Sequence, residues 1–314
     1  MPRPPFTQGL HELGDGLYAW LQPNGGWGWS NAGLVRGDGA SLLVDTLFDL
    51  RLTQAMLDAM AGPTAGSPVT TLVNTHANGD HCYGNSLVAG AEIVASRATA
   101  DEIGEVSPRM LHAMVTNDLG DDALNDYVRA AFGSFDFEGI DVAPPTRTFE
   151  ARLDLDVAGT AVELLEVGPA HTKGDVIVHV PSARTVFTGD ICFIGGTPIV
   201  WTGPVANWVA ACDRIEALGV DTVVPGHGPV CGLDEVRDLR GYLVHVEAEA
   251  GACFEAGMDA EEAARAIDLG PYARWGEPER IAVNVEAVYR ERDPARRSVD
   301  ARTLFGRMAR WALS

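Results

Sequence analysis

Apolar positions fall into short runs separated by Gly, Pro, Asn and Asp, and this punctuation divides the chain into elements. Asp15-Gly16 opens an apolar run at 17–21 that predicts a strand. After the glycine-rich stretch 23–29, two more short strands are predicted at 31–35 and 41–45. Apolar residues at helical spacing predict a helix over 50–60, ended by Gly62-Pro63. A β-rich run at 69–74 stops at the polar loop 75–85, and a further strand is predicted at 91–95. Residues 97–130 read as helical with a break near Ser107-Pro108, and 132–148, stiffened by Pro144-Pro145, reads as a connector. Strand patterning resumes at 149–157, 160–167, 175–180 and 185–189, followed by a helix at 205–218 and a strand at 222–224. The remainder, 233–256, 260–268, 278–291 and 300–312, is mostly helical in pattern. Strand meanders with a helix between them occur twice, which predicts two α/β halves packed sheet to sheet with helices outside.

Composition narrows what such a fold can do. The 314 residues are 46% hydrophobic and 21% charged, an ordinary globular balance, and no stretch approaches the ~20 apolar residues of a membrane span. The N-terminus lacks a charged segment leading into an apolar run, so we expect a cytoplasmic protein without a secretory signal. Net charge is −21, and Lys173 is the only lysine beside 22 arginines. Such a surface repels phosphate backbones and anionic lipid, so the expected partner is a small-molecule substrate, not nucleic acid or membrane. A homo-oligomer is left open. Five scattered cysteines, Cys82, Cys192, Cys212, Cys231 and Cys253, form no C-x-x-C pair and argue against a disulfide framework.

The chemistry gathers where strands stop. His76, Asn78, Asp80 and His81 follow the strand ending at Asn74, and His171 follows the one ending at Val167. Asp190 follows the 185–189 run, and His227 follows the 222–224 strand. Four loops thus offer imidazole and carboxylate, the ligands of a hydrolytic metal site. Two metals need a shared anionic ligand and two ligand sets, which closely spaced residues in one loop can feed from both sides. Any one of these residues alone would be read as a turn former; the joint pattern points to metal.

These residues resemble the metallo-β-lactamase superfamily, whose signature is H-x-H-x-D-H followed by a His, an Asp and a final His on later loops. The match runs His76, Asn78, Asp80, His81, His171, Asp190 and His227, and the resemblance covers about residues 10–230. It implies an α/β fold, an αββα sandwich of two mixed sheets with outer helices, plus a helical C-terminal extension. We expect residues 1–232 to form the sandwich and 233–314 the helical extension packed on the same domain. By position, His76 and His171 would serve a first metal, Asp80, His81 and His227 a second, and Asp190 would bridge. The implied cofactor is Zn2+, one ion or two. Asn78 departs from the pattern, which has His there. An amide oxygen is a weaker zinc ligand than imidazole, so the first site is expected to bind more loosely. Asp45 closes the 41–45 strand, where the family places a carboxylate that holds a ligating histidine by its second N–H.

The resemblance implies a zinc-dependent hydrolase in which a metal-bound hydroxide attacks a carbonyl substrate, an ester, thioester, lactone or lactam, with Asp80 and Asp190 as the catalytic carboxylates. A metal-dependent aromatic polyketide cyclase or thioesterase of the same fold is the alternative, and a non-hydrolytic or redox member a further one. Trp27 and Trp29, between glycines, are expected to form a mobile aromatic lid over the substrate, with Trp201 as another apolar wall. Met110, Leu111 and Met114 are candidates to cap the pocket, although residues at such spacing are more often core.

Overall fold

The computed structural model describes residues 3–88 and 90–313. Two mixed sheets lie face to face. The first contains β1 (Gly9–Gly14), β2 (Leu17–Leu21), β3 (Ala32–Arg36), β4 (Ser41–Val44), β5 (Val69–Val73), β6 (Glu92–Ser96) and β7 (Arg147–Phe149), in that spatial order. Strands β1 to β4 pair antiparallel, and β4 to β7 parallel. The second sheet has the order β12-β11-β10-β9-β8, from β8 (Arg152–Val157), β9 (Thr160–Glu166), β10 (Val176–Val180), β11 (Thr185–Phe187) and β12 (Thr222–Val224). Only its β11–β12 pair is parallel.

Period-two alternation builds the layers. Leu42 and Val44 of β4 face Val176, Val178 and Val180 of β10 in the core between the sheets. Their neighbours Leu43 and Ile177 point the other way and join a second core under the helices. Strands buried on both faces read as continuous apolar runs, which is why the sequence shows them clearly. On the outside lie α1 (Leu50–Thr64), the short α2 (Gly79–Cys82), α3 (Arg97–Glu102), α4 (Pro108–Thr116), α5 (Asp122–Phe132) and α6 (Val205–Ala217). The αββα sandwich expected from the sequence is the fold observed. Four further helices follow: α7 (Leu233–Glu255), α8 (Ala260–Ala266), α9 (Ile281–Arg292) and α10 (Ala301–Ala312). Helix α7 packs on α6, α10 on α5, and their apolar faces share the outer core.

Several expected elements differ. Edge strand β1 was not foreseen, because Gly-Leu-His-Glu-Leu-Gly has glycine at both ends and little apolar content. Helix α1 runs past Gly62 and Pro63 to Thr64: a proline in the last turn removes only one backbone donor, and Thr64 Oγ1 donates to Met60 O at 2.8 Å. The helical stretch 97–130 is three helices, begun by Ser96, Ser107 and Asp121 side chains that each accept a backbone N–H. The run 149–157 is not one strand. Its start ends β7 in the first sheet, Ala151 turns at φ +60°, and β8 begins the second sheet. Residues 278–280 form a single 3-10 turn before α9.

Candidate metal centre

The polar residues converge at one end of the sandwich. Asp45 lies just past β4 and His76 just past β5, and His171 sits in the β9–β10 loop. Asp190 follows β11 and His227 follows β12. Asn78 precedes α2, whose single turn carries Asp80 and His81. Two groups result, each with one ligand atom per residue and all such atoms within 4.8 Å of one another: His76, His171 and Asp190, then Asp80, His81 and His227. Asp190 faces both. Its Oδ2 lies 3.6 Å from His76 Nε2 and 3.3 Å from His171 Nε2. Its Oδ1 lies 3.0 Å from His81 Nε2 and 3.4 Å from His227 Nε2. Asp80 Oδ2 is 3.3 Å from His227 Nε2.

Each imidazole is held from behind. His81 Nδ1 donates to Asp45 Oδ2 at 2.9 Å, His171 Nδ1 to Ile199 O at 2.7 Å and His227 Nδ1 to Gly25 O at 3.0 Å. Thr75 Oγ1 gives its proton to Asp45 Oδ2 at 2.7 Å and so accepts from His76 Nδ1 at 3.0 Å. Asp45 thus orients two histidines, one directly and one through Thr75, and it does so from a left-handed backbone at φ +63°. With the protons fixed on Nδ1, the four Nε2 lone pairs turn inward. Buried His76 Nε2, His81 Nε2 and Asp190 Oδ1 have no hydrogen-bond partner among the described residues. Buried polar atoms that go unpaired together at one point are donors awaiting a cation. The His/Asp set suits a divalent metal.

Without one, the cluster polarises itself. Burial pushes the Asp190 carboxyl up, but His227, His81 and His76 around it hold it well below the usual range. Burial pulls His227 down, yet Asp190 and Asp80 carry it up to about 9. His76 goes the other way, lowered by burial and by the neighbouring His81. Asn78 has turned its Nδ2 toward His171 Nε2, at 3.1 Å. Two glycines make the close approaches possible. A Cβ on Gly226 would lie 2.1 Å from Asp190 Oδ1, and one on Gly25, at φ +63°, would lie 2.9 Å from the backbone nitrogen of Gly228.

A family model described as the metallo-beta-lactamase superfamily matches residues 25–227, a span that contains every one of these ligand candidates. The chain belongs to that superfamily. It is 25% identical to a linear primary-alkylsulfatase of Pseudomonas sp. over 233 residues, 65% of this chain and 44% of that protein. It is also 25% identical to the acyl-coenzyme A thioesterase MBLAC2 of Gallus gallus over 271 residues, 82% of this chain and 92% of that one. Among solved structures, an inverting sec-alkylsulfatase from Pseudomonas sp. superposes with TM-score 0.68 at 18% identity, covering 93% of this chain and 52% of that one. A metallo-beta-lactamase from Pontibacter korlensis gives 0.56 at 18% identity, covering 76% and 99%. The chain thus spans about half the length of the alkylsulfatases it matches.

Beside the cluster opens a cavity of about 290 Å³, with Asn78, Asp80, His171, Asp190 and His227 on one wall. The other walls are mainly apolar, with Met110, Leu111 and Met114 of α4 among them and Glu102, Glu105, Thr172 and Arg280 as the polar exceptions. Trp27 and Trp201 are in the lining; Trp29 is not, and packs instead on Phe135 at 4.8 Å between ring centroids. Nor is the 23–29 loop a free lid. Trp27 donates from Nε1 to Tyr127 Oη at 3.2 Å and touches Phe132 and Phe305, while Gly25 supports His227. No sequence signal marked Arg280 or Phe305 of the C-terminal segment, yet both reach the cavity. No helix among the described residues is long and apolar enough to cross a membrane.

Proposed function

We propose that the protein is a zinc-dependent hydrolase of small-molecule esters or thioesters whose acyl portion is apolar. The observation that carries this is the cavity itself: one wall holds the imidazoles and carboxylates, and the rest is chiefly aromatic and aliphatic, with Glu102, Glu105 and Arg280 as the charged exceptions. His76 and His171 with the Asn78 amide would hold one ion, Asp80, His81 and His227 the other, and Asp190 both. When bound, the metal supplies an acidified water and a polarised substrate oxygen. Trp27, Phe132, Trp201 and Phe305 exclude water from the acyl group and align it with the polar wall. Asp80, on that wall, is placed to take up the proton that the attacking water releases, while Asp190, held ionised by the histidines around it, would serve the ions. The match to the thioesterase over nearly its full length supports the thioester reading. Five free cysteines, four of them buried, suit a cytoplasmic setting.

The test is a series of acyl thioesters of increasing chain length, assayed before and after chelation. Turnover should rise with chain length until the cavity is filled, disappear on chelation and return with zinc. Full activity in protein shown to be metal-free by elemental analysis would sink the reading. The ring-rich wall of Trp27, Phe132, Phe193, Trp201 and Phe305 also suits a flat polyketide, so product analysis should separate hydrolysis from ring closure.

A further inference from the structure

Arg280 is 1% exposed and is the one arginine or lysine among the described residues lining the cavity, whose outer carboxylates Glu102 and Glu105 are paired with Lys173. Its Cζ lies 4.2 Å from the ring centroid of Trp27 and 5.5 Å from that of Phe193, whose ring stacks in turn on His227 at 4.9 Å. One aromatic ring therefore separates the guanidinium from a metal-ligand candidate. Of its five N–H donors, Nη1 reaches Thr197 O at 2.8 Å, and buried Nε has no partner among the described residues. Glu277 Oε2 stands 3.5 Å from Nη1, too far for the paired fork that arginine makes with a carboxylate. A buried cation with unused donors is costly, and tying Thr197 to the C-terminal segment needs only one of them. The cation lies over the face of Trp27, which fixes its position, and its unused N–H donors suit a planar or tetrahedral oxyanion.

We propose that Arg280 receives an anionic group of the substrate. This rests on the hydrolase reading and narrows it: the molecule admitted pairs an apolar chain with a compact oxyanion, carboxylate or sulfo, near the bond attacked. The net charge of −21 opposes anions at long range, so short-range contact with Arg280 has to supply the selectivity.

Calorimetric titration of the zinc-loaded protein with octanesulfonate, octanoate and octanol tests this without any turnover. Both anions should bind at least about tenfold tighter than octanol, as expected for charge-assisted, forked hydrogen bonds. The tighter of the two identifies the group, sulfo or carboxylate. Arg280→Lys, which keeps the charge but not the fork, should weaken the anions by roughly tenfold, and Arg280→Met by more, with octanol little changed. Glu277→Gln, which removes the opposing carboxylate, should tighten the anions, a gain that a purely structural arginine would not show. Anions bound no better than octanol, or equal weakening of all three ligands in Arg280→Lys, would overturn the proposal. So would unchanged anion affinity in the arginine variants, which would place the anion on the metal. Failure of the hydrolase reading would appear separately, as absent turnover by the zinc-loaded protein of every thioester offered, neutral or anionic.

Discussion

Asn78 stands where the superfamily pattern has an imidazole, and its Nδ2 faces the His171 lone pair that a metal would need. The amide must turn before a metal can use its oxygen, and even then it is the weaker ligand. Zinc titration into metal-free protein should therefore show one tight equivalent and a second weaker by about tenfold or more, the usual scale for a compromised ligand shell. Asn78→His should narrow the gap; two equally tight equivalents, unaltered by that change, would contradict the argument. Asp190 has the opposite character, since its two oxygens face both histidine groups. Asp190→Ala should release metal at both positions, whereas His179→Gln, whose ring pairs with Glu163 at 2.9 Å on the second sheet, should keep its metal. Elemental analysis of the two folded variants decides it. The ligand candidates were legible because metal chemistry demands His and Asp specifically. Arg280 was not, since nothing local distinguishes it from the other arginines.

Among the elements, the 23–29 loop has two tryptophans with different surroundings. Trp27→Ala should raise KM for apolar substrates and leave metal content intact, because its ring lines the cavity and coordinates nothing. Trp29→Ala should act mainly on stability, removing a half-buried ring packed on Phe135 at a cost of roughly 2 kcal/mol, below the range for fully buried aromatic truncations. Equal KM effects of the two, measured across one substrate series beside their unfolding midpoints, would show that the cavity wall is wrongly drawn. The strand runs buried on both faces were readable at this scale. The 149–157 run misled because both its halves are extended; only the corner at Ala151, which sends them into different sheets, separates β7 from β8.

For the molecule as a whole, the metal candidates tie together loops from both sheets, so an ion binding only the folded chain should stabilise it. At a thousandfold excess over Kd the gain is about 4 kcal/mol, enough for a Tm rise of several degrees. A scan of metal-free protein with and without zinc checks this, and an unmoved Tm would argue against binding by the assembled cluster. The C-terminal helices cover α5 and α6 and share their core. We therefore propose that 233–314 and the sandwich fold as one unit. A chain ended at residue 232 should expose that apolar surface and aggregate; a soluble, zinc-binding truncation would refute this.

The sequence by itself determined the layered α/β plan and the ligand candidates. Both depend on local rules: apolar runs bounded by turn residues, and ligand residue types that follow strand ends. Only the tertiary structure decided what surrounds the polar cluster. The cavity wall is assembled from residues as far apart as Trp27, Phe132, Phe193, Arg280 and Phe305. Its apolar members have the same chemistry as the core, and which of them border a void is settled by packing between distant segments. The same packing turned Trp29 away from the cavity and brought Arg280 into it.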